Sequence, residues 1–322
     1  MTENPIVRVK NLETTFFTKS GPIKAVNGIS YDINKGETLG IVGESGCGKS
    51  VTSFSLMRLI EPPGKITGGQ FYLNDREILQ MNESEMQDIR GKDMAIIFQE
   101  PMTALNPVLT IGFQIDEQIL RHEKVSTKEA RDRSIEMLRL VGIPSPESRY
   151  NNYLHQLSGG MRQRAMIAMA LSCNPQFLIA DEPTTALDVT IQSQILELIQ
   201  FLQEKRKMSV QFITHDLGVI SEISDRVLVM YGGQACETAT THELFHSPKH
   251  PYTGALIESI PKLGSRLHRL PTIEGSVPAP FELPKGCPFQ TRCNRAKSEC
   301  KEQRPPMVKI SATQSVACFN PL

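Results

Sequence analysis

Over residues 6 to about 35, apolar and polar positions alternate in short runs: Ile6, Val7 and Val9, then Ala25, Val26, Ile29, Tyr31 and Ile33. A period of two predicts antiparallel strands with one buried face. Residues 68 to 75 and 94 to 98 continue the pattern. Thr38 to Val42 differs: it is a continuous apolar run, as in a strand buried on both faces, and Val51 to Leu56 reads as the first turns of a helix. From about 112 to 172 the period lengthens, with Ile135, Leu138 and Val141 opposite a charged face, which predicts helices. Residues 177 to 232 return to strand, helix, strand and helix, the rhythm of a parallel sheet. Beyond about 247 prolines crowd the chain, among them Pro278, Pro280, Pro284 and Pro288, so long helices are not expected there. No internal repeat is visible.

At 322 residues the chain is long enough for one large α/β domain and an appendage. Lys plus Arg and Asp plus Glu each number 35, so the net charge is zero and the basic excess of a nucleic-acid binder is missing. The start, Met-Thr-Glu-Asn-Pro, lacks the pattern of a secretory signal, and apolar runs such as Ala165 to Leu171 are shorter than the roughly 20 residues that cross a bilayer. Any membrane role is therefore expected to come through a partner. A cytosolic setting disfavours disulfides among the seven cysteines and turns attention to metal ligation.

The most informative segment is Gly43-Glu44-Ser45-Gly46-Cys47-Gly48-Lys49-Ser50, followed by Val51, between the apolar strand and the helix. Its glycines allow backbone N–H groups to turn inward as an anion nest, and the helix N-terminus adds its positive end. Lys49 supplies a charge to the β- and γ-phosphates, and Ser50 is placed to ligate Mg²⁺. A second, incomplete cradle follows at Leu157-Ser158-Gly159-Gly160-Met161, where Ser158 caps a helical run. It has no Lys-Ser pair of its own.

Together with Phe177-Leu178-Ile179-Ala180-Asp181-Glu182-Pro183, these two segments resemble the ATP-binding cassette (ABC) ATPases over roughly residues 6 to 245. The resemblance implies an α/β P-loop fold: a RecA-like core, an antiparallel β subdomain and a helical subdomain at about 102–172. It also implies that Ser158, Gly159 and Gly160 of one cassette close on the ATP held by another, with Ala186-Leu187-Asp188 touching the opposite cassette.

Asp181, at a strand end, is the candidate for holding Mg²⁺ through water, and Glu182 is the candidate base for the attacking water. Alone, such adjacent acids would as readily cap the next helix. By resemblance, His215 contacts the γ-phosphate, Gln99 senses metal and water, and Phe16 stacks on adenine, although Phe17 beside it leaves that register open. Cys47, near a helix N-terminus, is expected to have thiolate character and to react with alkylating reagents.

Cys287, Cys293, Cys300 and Cys318 are spaced by six, seven and eighteen residues in a proline-stiffened segment, four soft ligands that suggest a metal or cluster. With His250-Pro251-Tyr252-Thr253 ahead of them, they resemble the C-terminal extension of oligopeptide and dipeptide importer ATPases. That resemblance favours a [4Fe–4S] cluster, with zinc second and free thiols third.

The resulting expectation is an ATPase domain at 1–247 and an extension at 248–322, belonging to an importer of di- or oligopeptides or of a related solute such as a nickel chelate. Its implied partners are a second, related ATPase, two permease subunits that receive their coupling helix near Gln99 and Met102 to Pro107, and an extracytoplasmic binding protein. Nucleic acid is not among them. The implied location is the cytoplasmic face of the inner membrane. An exporter ATPase or a soluble, non-transport cassette protein is the alternative.

Overall fold

A computed structural model describes residues 4–185, 187–260 and 272–322, and the chain divides into two compact units, residues 1–79 with 212–322, and residues 80–211. Ala186 of the expected inter-cassette loop lies outside the described residues.

The first unit begins with β1 (Val7–Thr18), β2 (Gly21–Ile33), β3 (Thr38–Val42), α1 (Lys49–Leu56), β4 (Gly64–Leu73) and β5 (Arg76–Glu77). β1 pairs antiparallel with β2 (Val7 opposite Ile33) and with β4 (Val7 opposite Leu73), and Val7, Val9 and Leu12 point into the core. This is the alternation read from the sequence.

In the second unit come α2 (Glu83–Ile89), β6 (Met94–Ile97), α3 (Pro101–Ala104), α4 (Ile111–His122), α5 (Thr127–Leu140), α6 (Pro146–Arg149), α7 (Gly159–Leu171), β7 (Phe177–Asp181) and α8 (Val189–Arg206). β6 pairs parallel with β7, Met94 beside Phe177, which corrects the expectation that residues 94–98 extend the antiparallel pattern. α4 buries Ile111, Ile115 and Ile119, and α5 buries Ala130, Met137 and Leu138. Asp116 ties these helices together by accepting from Ser134 at 2.5 Å and from Tyr150. Ile135, expected on the apolar face of α5, is only half-buried.

The chain returns to the first unit within β8 (Ser209–Ile213) and adds α9 (Leu217–Ile223), β9 (Arg226–Tyr231), β10 (Gln234–Thr240), α10 (Thr241–His246), α11 (Pro251–Glu258), α12 (Ser298–Glu302), β11 (Val308–Lys309) and β12 (Ser315–Val316). β3 is parallel to β9, so the apolar run Thr38 to Val42 is an interior strand with every residue buried. At Gly40 a Cβ would lie 2.7 Å from Ile220 Cδ1, so α9 packs directly on β3.

The described part of the tail is built into this unit. β12 pairs with β10 (Val316 opposite Glu237), and β11 with β12. Glu237, fully buried, accepts the N–H groups of Lys249 (2.8 Å) and His250 (2.7 Å) and the amide of Gln314 (2.9 Å). One carboxylate thus takes three donors from two separate stretches of the tail, which offsets the cost of burying it. Among the described residues, no helix is long and apolar enough to cross a membrane.

Candidate functional site

β3 ends at Val42, and the chain turns through the glycine-rich loop into α1, with Gly48 capping the helix in a left-handed conformation. The loop is compressed between neighbours. A Cβ on Gly43 would lie 2.3 Å from the Met230 carbonyl oxygen, and one on Gly48 would lie 2.3 Å from that of Ala25. Backbone oxygens cannot step aside, so only glycine fits at these two positions. Lys49 is buried, and its ammonium donates to the carbonyls of Gly43 (2.7 Å) and Glu44 (3.2 Å). Ser50 and Val51 are half-buried, whereas Ser45 and Gly46 are exposed. This is the strand, nest and helix arrangement that phosphate recognition requires.

Cys47 corrects one expectation. It is fully buried beneath the loop, and burial raises its thiol above the ordinary value, with the Lys49 charge opposing only in part. The desolvation of a thiolate there outweighs the helix N-terminus, so Cys47 is a packing residue and not a reactive one.

Two contacts to this loop were not foreseen. Tyr252 Oη accepts the Glu44 N–H at 2.9 Å, and Arg292 forms a bidentate pair with the Glu44 carboxylate, at 2.6 and 3.1 Å. Arg292 lies among the tail cysteines, far along the chain, and its residue type and neighbours gave no signal of a partner in the phosphate loop. Elsewhere in the first unit, Phe16 is half-buried, with its ring close enough to Gly64 that a Cβ there would be 2.7 Å from Cε1. Phe17 is 55% exposed, so both remain open as aromatic platforms. His215 follows β8 and is exposed, while Asp216 caps α9 by accepting from Gly218 N at 2.8 Å.

In the second unit Asp181 ends β7 and is almost wholly buried. Glu182 follows it with φ +47°, a conformation that costs a non-glycine residue roughly 1–3 kcal/mol and that is retained where a site demands it. Its Oε2 accepts from Gln99 Nε2 at 3.1 Å and from Thr185 Oγ1 at 2.8 Å. Gln99 and Glu182, given separate roles by the resemblance, are therefore in contact, and Thr185 is a third member that the sequence reading missed.

Ser158 caps α7 by accepting from Met161 N at 3.4 Å; Gly159 has open space above it, and Gly160 faces Ile191. Asp188 caps α8 by accepting from Ile191 N at 3.0 Å. Gln99, Met102, Gly159 and Arg162 line one cleft of about 440 Å³ in this unit, and Met102 is well exposed.

Cys287, Cys293, Cys300 and Cys318 all line one small cavity, together with Phe289 and His250. Burial pushes the Cys287 thiol up to about 11 and raises Cys293 and Cys318. Backbone N–H groups of Lys297 and Asn320 point at Cys300 Sγ (3.4 Å) and Cys318 Sγ (3.3 Å). Four soft donors line one space, and two of them accept backbone N–H groups, a donor set of the kind a thiophilic metal or cluster would use. Among the described residues, however, no group of three or more His, Cys, Asp or Glu is drawn together at the spacing of a single metal ion.

The ABC transporter family model matches residues 26–185, and that of the oligopeptide/dipeptide transporter C-terminal region matches residues 236–300. The oligopeptide transport ATP-binding protein AppD of Bacillus subtilis (strain 168) is 51% identical over 315 residues, 98% of this chain and 96% of that protein. The dipeptide transport ATP-binding protein DppD of Escherichia coli (strain K12) is 45% identical over 317 residues, 98% of this chain and 97% of its own length. Among solved structures, the dimeric post-hydrolysis state of the ATP-binding cassette MJ0796 bound to ADP and Pi is similar at a TM-score of 0.66 and 29% identity, covering 73% of this chain and 98% of that one.

Proposed function

The chain belongs to the ABC transporter ATPases, with the oligopeptide/dipeptide transporter C-terminal region, and from that premise we propose that it is the ATP-hydrolysing subunit of a peptide importer. The observation that carries this reading is the pairing of a cassette with that C-terminal region, in a chain whose full length aligns with oligopeptide and dipeptide transport ATP-binding proteins. An exporter or a soluble cassette protein draws no support from these likenesses.

In this reading the amides of the Gly43 to Gly48 loop other than that of Glu44, together with the Lys49 ammonium, bind the β- and γ-phosphates, and Phe16 or Phe17 packs on the adenine. Hard oxygen donors, the Ser50 hydroxyl, the Gln99 amide oxygen and the Asp181 carboxylate, are the ones that would hold Mg²⁺, which when bound neutralises charge on the phosphates. Glu182 orients and deprotonates the attacking water, with Gln99 and Thr185 holding its carboxylate in place and His215 steadying the γ-phosphate end. Ser158, Gly159, Gly160 and Asp188 serve the nucleotide of a second ATPase subunit. That subunit is a related chain, two permeases form the path at the membrane, and a binding protein selects cargo. The helical region 102–172, beginning at Met102 to Pro107, receives the permeases.

Residues 1–247 form the ATPase domain and 248–322 its extension. Cys287, Cys293, Cys300 and Cys318 would hold a [4Fe–4S] cluster, whose part is cohesion and not catalysis. Zinc is the second choice, because the intervals of six, seven and eighteen residues lack the close Cys-x-x-Cys pairs of ordinary zinc sites.

Purification in detergent with the native membrane, followed by ATPase assay, tests the function. Permease subunits should accompany the chain, and a peptide-loaded binding protein should stimulate hydrolysis. Recovery with ribosomes or DNA, or ATPase activity indifferent to peptide, would overturn it.

A further inference from the structure

Glu44 is the second residue of the phosphate loop, and both of its polar ends are held by the cysteine-bearing region. Its N–H is taken by Tyr252 Oη, which withdraws that amide from the anion nest and fixes which loop amides remain to face a phosphate. Its carboxylate is gripped by both Nη atoms of Arg292, whose side chain is only 4% exposed. That guanidinium is itself pinned by the carbonyls of Glu274 (2.9 Å) and Ile273 (3.3 Å) and by Tyr231 Oη (3.3 Å). A planar fork so fully engaged transmits position and not merely charge.

Both anchors rest on the cysteine cavity. Arg292 immediately precedes Cys293, and the Tyr252 ring packs on Phe289 at 5.2 Å between centroids; Cys293 and Phe289 line that cavity. Phe289 also meets Tyr231 edge-on at 5.2 Å, and Tyr231 follows the carbonyl of Met230 against which Gly43 is pressed. The wall of the cavity and the wall of the phosphate loop are therefore one packed unit.

We propose that Arg292 and Tyr252 are positioning residues for the phosphate loop, making nucleotide affinity depend on an intact four-cysteine cavity. The proposal rests on reading Gly43 to Ser50 as the nucleotide site. Neither residue touches reacting atoms, so affinity is affected more than the chemical step.

The test is titration of the full chain with a fluorescent ATP analogue, together with KM and kcat for ATP. Arg292→Met is expected to raise Kd and KM about tenfold with kcat changed less than about twofold, and Arg292→Lys to recover part of the loss. Glu44→Gln should act in the same direction, and Glu44→Gln with Arg292→Met should be no weaker than the worse single variant. Cys293→Ser should weaken binding of the analogue as well. A folded Arg292→Met chain with the wild-type Kd, additive effects in the double variant, or a Cys293→Ser chain that binds as wild type would overturn the proposal. If Arg292→Met does not fold, Glu44→Gln decides, because an unchanged Kd there is equally contrary. Lys49→Ala separates the two readings: unaltered binding in that variant removes the nucleotide site itself, whereas weakened binding there beside normal binding in Arg292→Met removes only the positioning role.

Discussion

Gln99 Nε2 and Glu182 Oε2 lie 3.1 Å apart in a hydrogen bond, and Thr185 Oγ1 donates to the same oxygen at 2.8 Å. Two neutral donors on one carboxylate oxygen fix its direction. Glu182→Gln keeps an acceptor for both donors but removes the base. It is expected to bind ATP as tightly as wild type and to lose turnover by about 10²–10⁴-fold in a phosphate-release assay. Turnover near the wild-type rate would take Glu182 out of its role.

The loop glycines should respond in proportion to the space around them. Gly48→Ala places a methyl 2.3 Å from the Ala25 carbonyl oxygen at φ +96°, while Gly46→Ala at φ +80° meets nothing within 4 Å. Backbone strain alone costs about 1 kcal/mol, so Gly46→Ala should lower the thermal midpoint by a few degrees and retain nucleotide binding. Gly48→Ala should lose both more stability and most of its binding. Equal effects at the two positions would show that sterics do not set this loop.

Much of this architecture was legible in the chain because its pattern is local. Alternation announced β1 and β2, and the apolar run with its glycines announced β3, the loop and α1 in order. Other features depend on neighbours distant in sequence. Met94 to Ile97 is too short for its residues to say whether the partner strand runs parallel, and β11 and β12 have two residues each, too few for any period. Glu237 sits among small and polar residues that read as solvent-facing, yet it is buried by a tail that arrives later in the chain. Glu44 reads only as a member of the phosphate loop, nothing around Arg292 in the sequence announces a partner, and only the folded chain pairs them.

Burial reverses the expected chemistry of Cys47. Because its sulfur is inaccessible and its thiol is raised by burial, iodoacetamide near neutral pH should leave Cys47 unlabelled in the native chain, and ATP should add no protection. Labelling is expected only after denaturation, as read by peptide mass spectrometry. Alkylation of native Cys47 at the rate of a small-molecule thiol would mean that the loop opens far more readily than its packing indicates.

Glu237→Gln tests how the tail is fastened. The carboxylate serves three N–H donors, and a carboxamide brings an NH₂ that must face at least one of them. The loss should be roughly 1–3 kcal/mol, concentrated in residues 247–316, and visible as faster amide exchange at Lys249 and His250 than in β3. Uniform acceleration across the first unit would instead show that tail and core unfold together.

Division of labour between copies can be examined with two inactive variants. Lys49→Ala removes the ammonium of the phosphate loop, and Ser158→Arg blocks the exposed N-terminus of α7 with a bulky cation. Purified without its related partner, the chain is expected to pair with its own copies; if Ser158 serves the nucleotide of another subunit, each variant alone then forms dimers in which both sites are damaged. In a mixed dimer, however, both lesions fall on one site, since the intact Lys49 of one copy meets the intact Ser158 of the other. Random exchange makes half of the dimers mixed, each with one sound site of two, so the mixture should recover about a quarter of wild-type ATPase activity. If Ser158 acts within its own chain, neither subunit of the mixed dimer carries a whole site, and mixing the purified variants restores nothing.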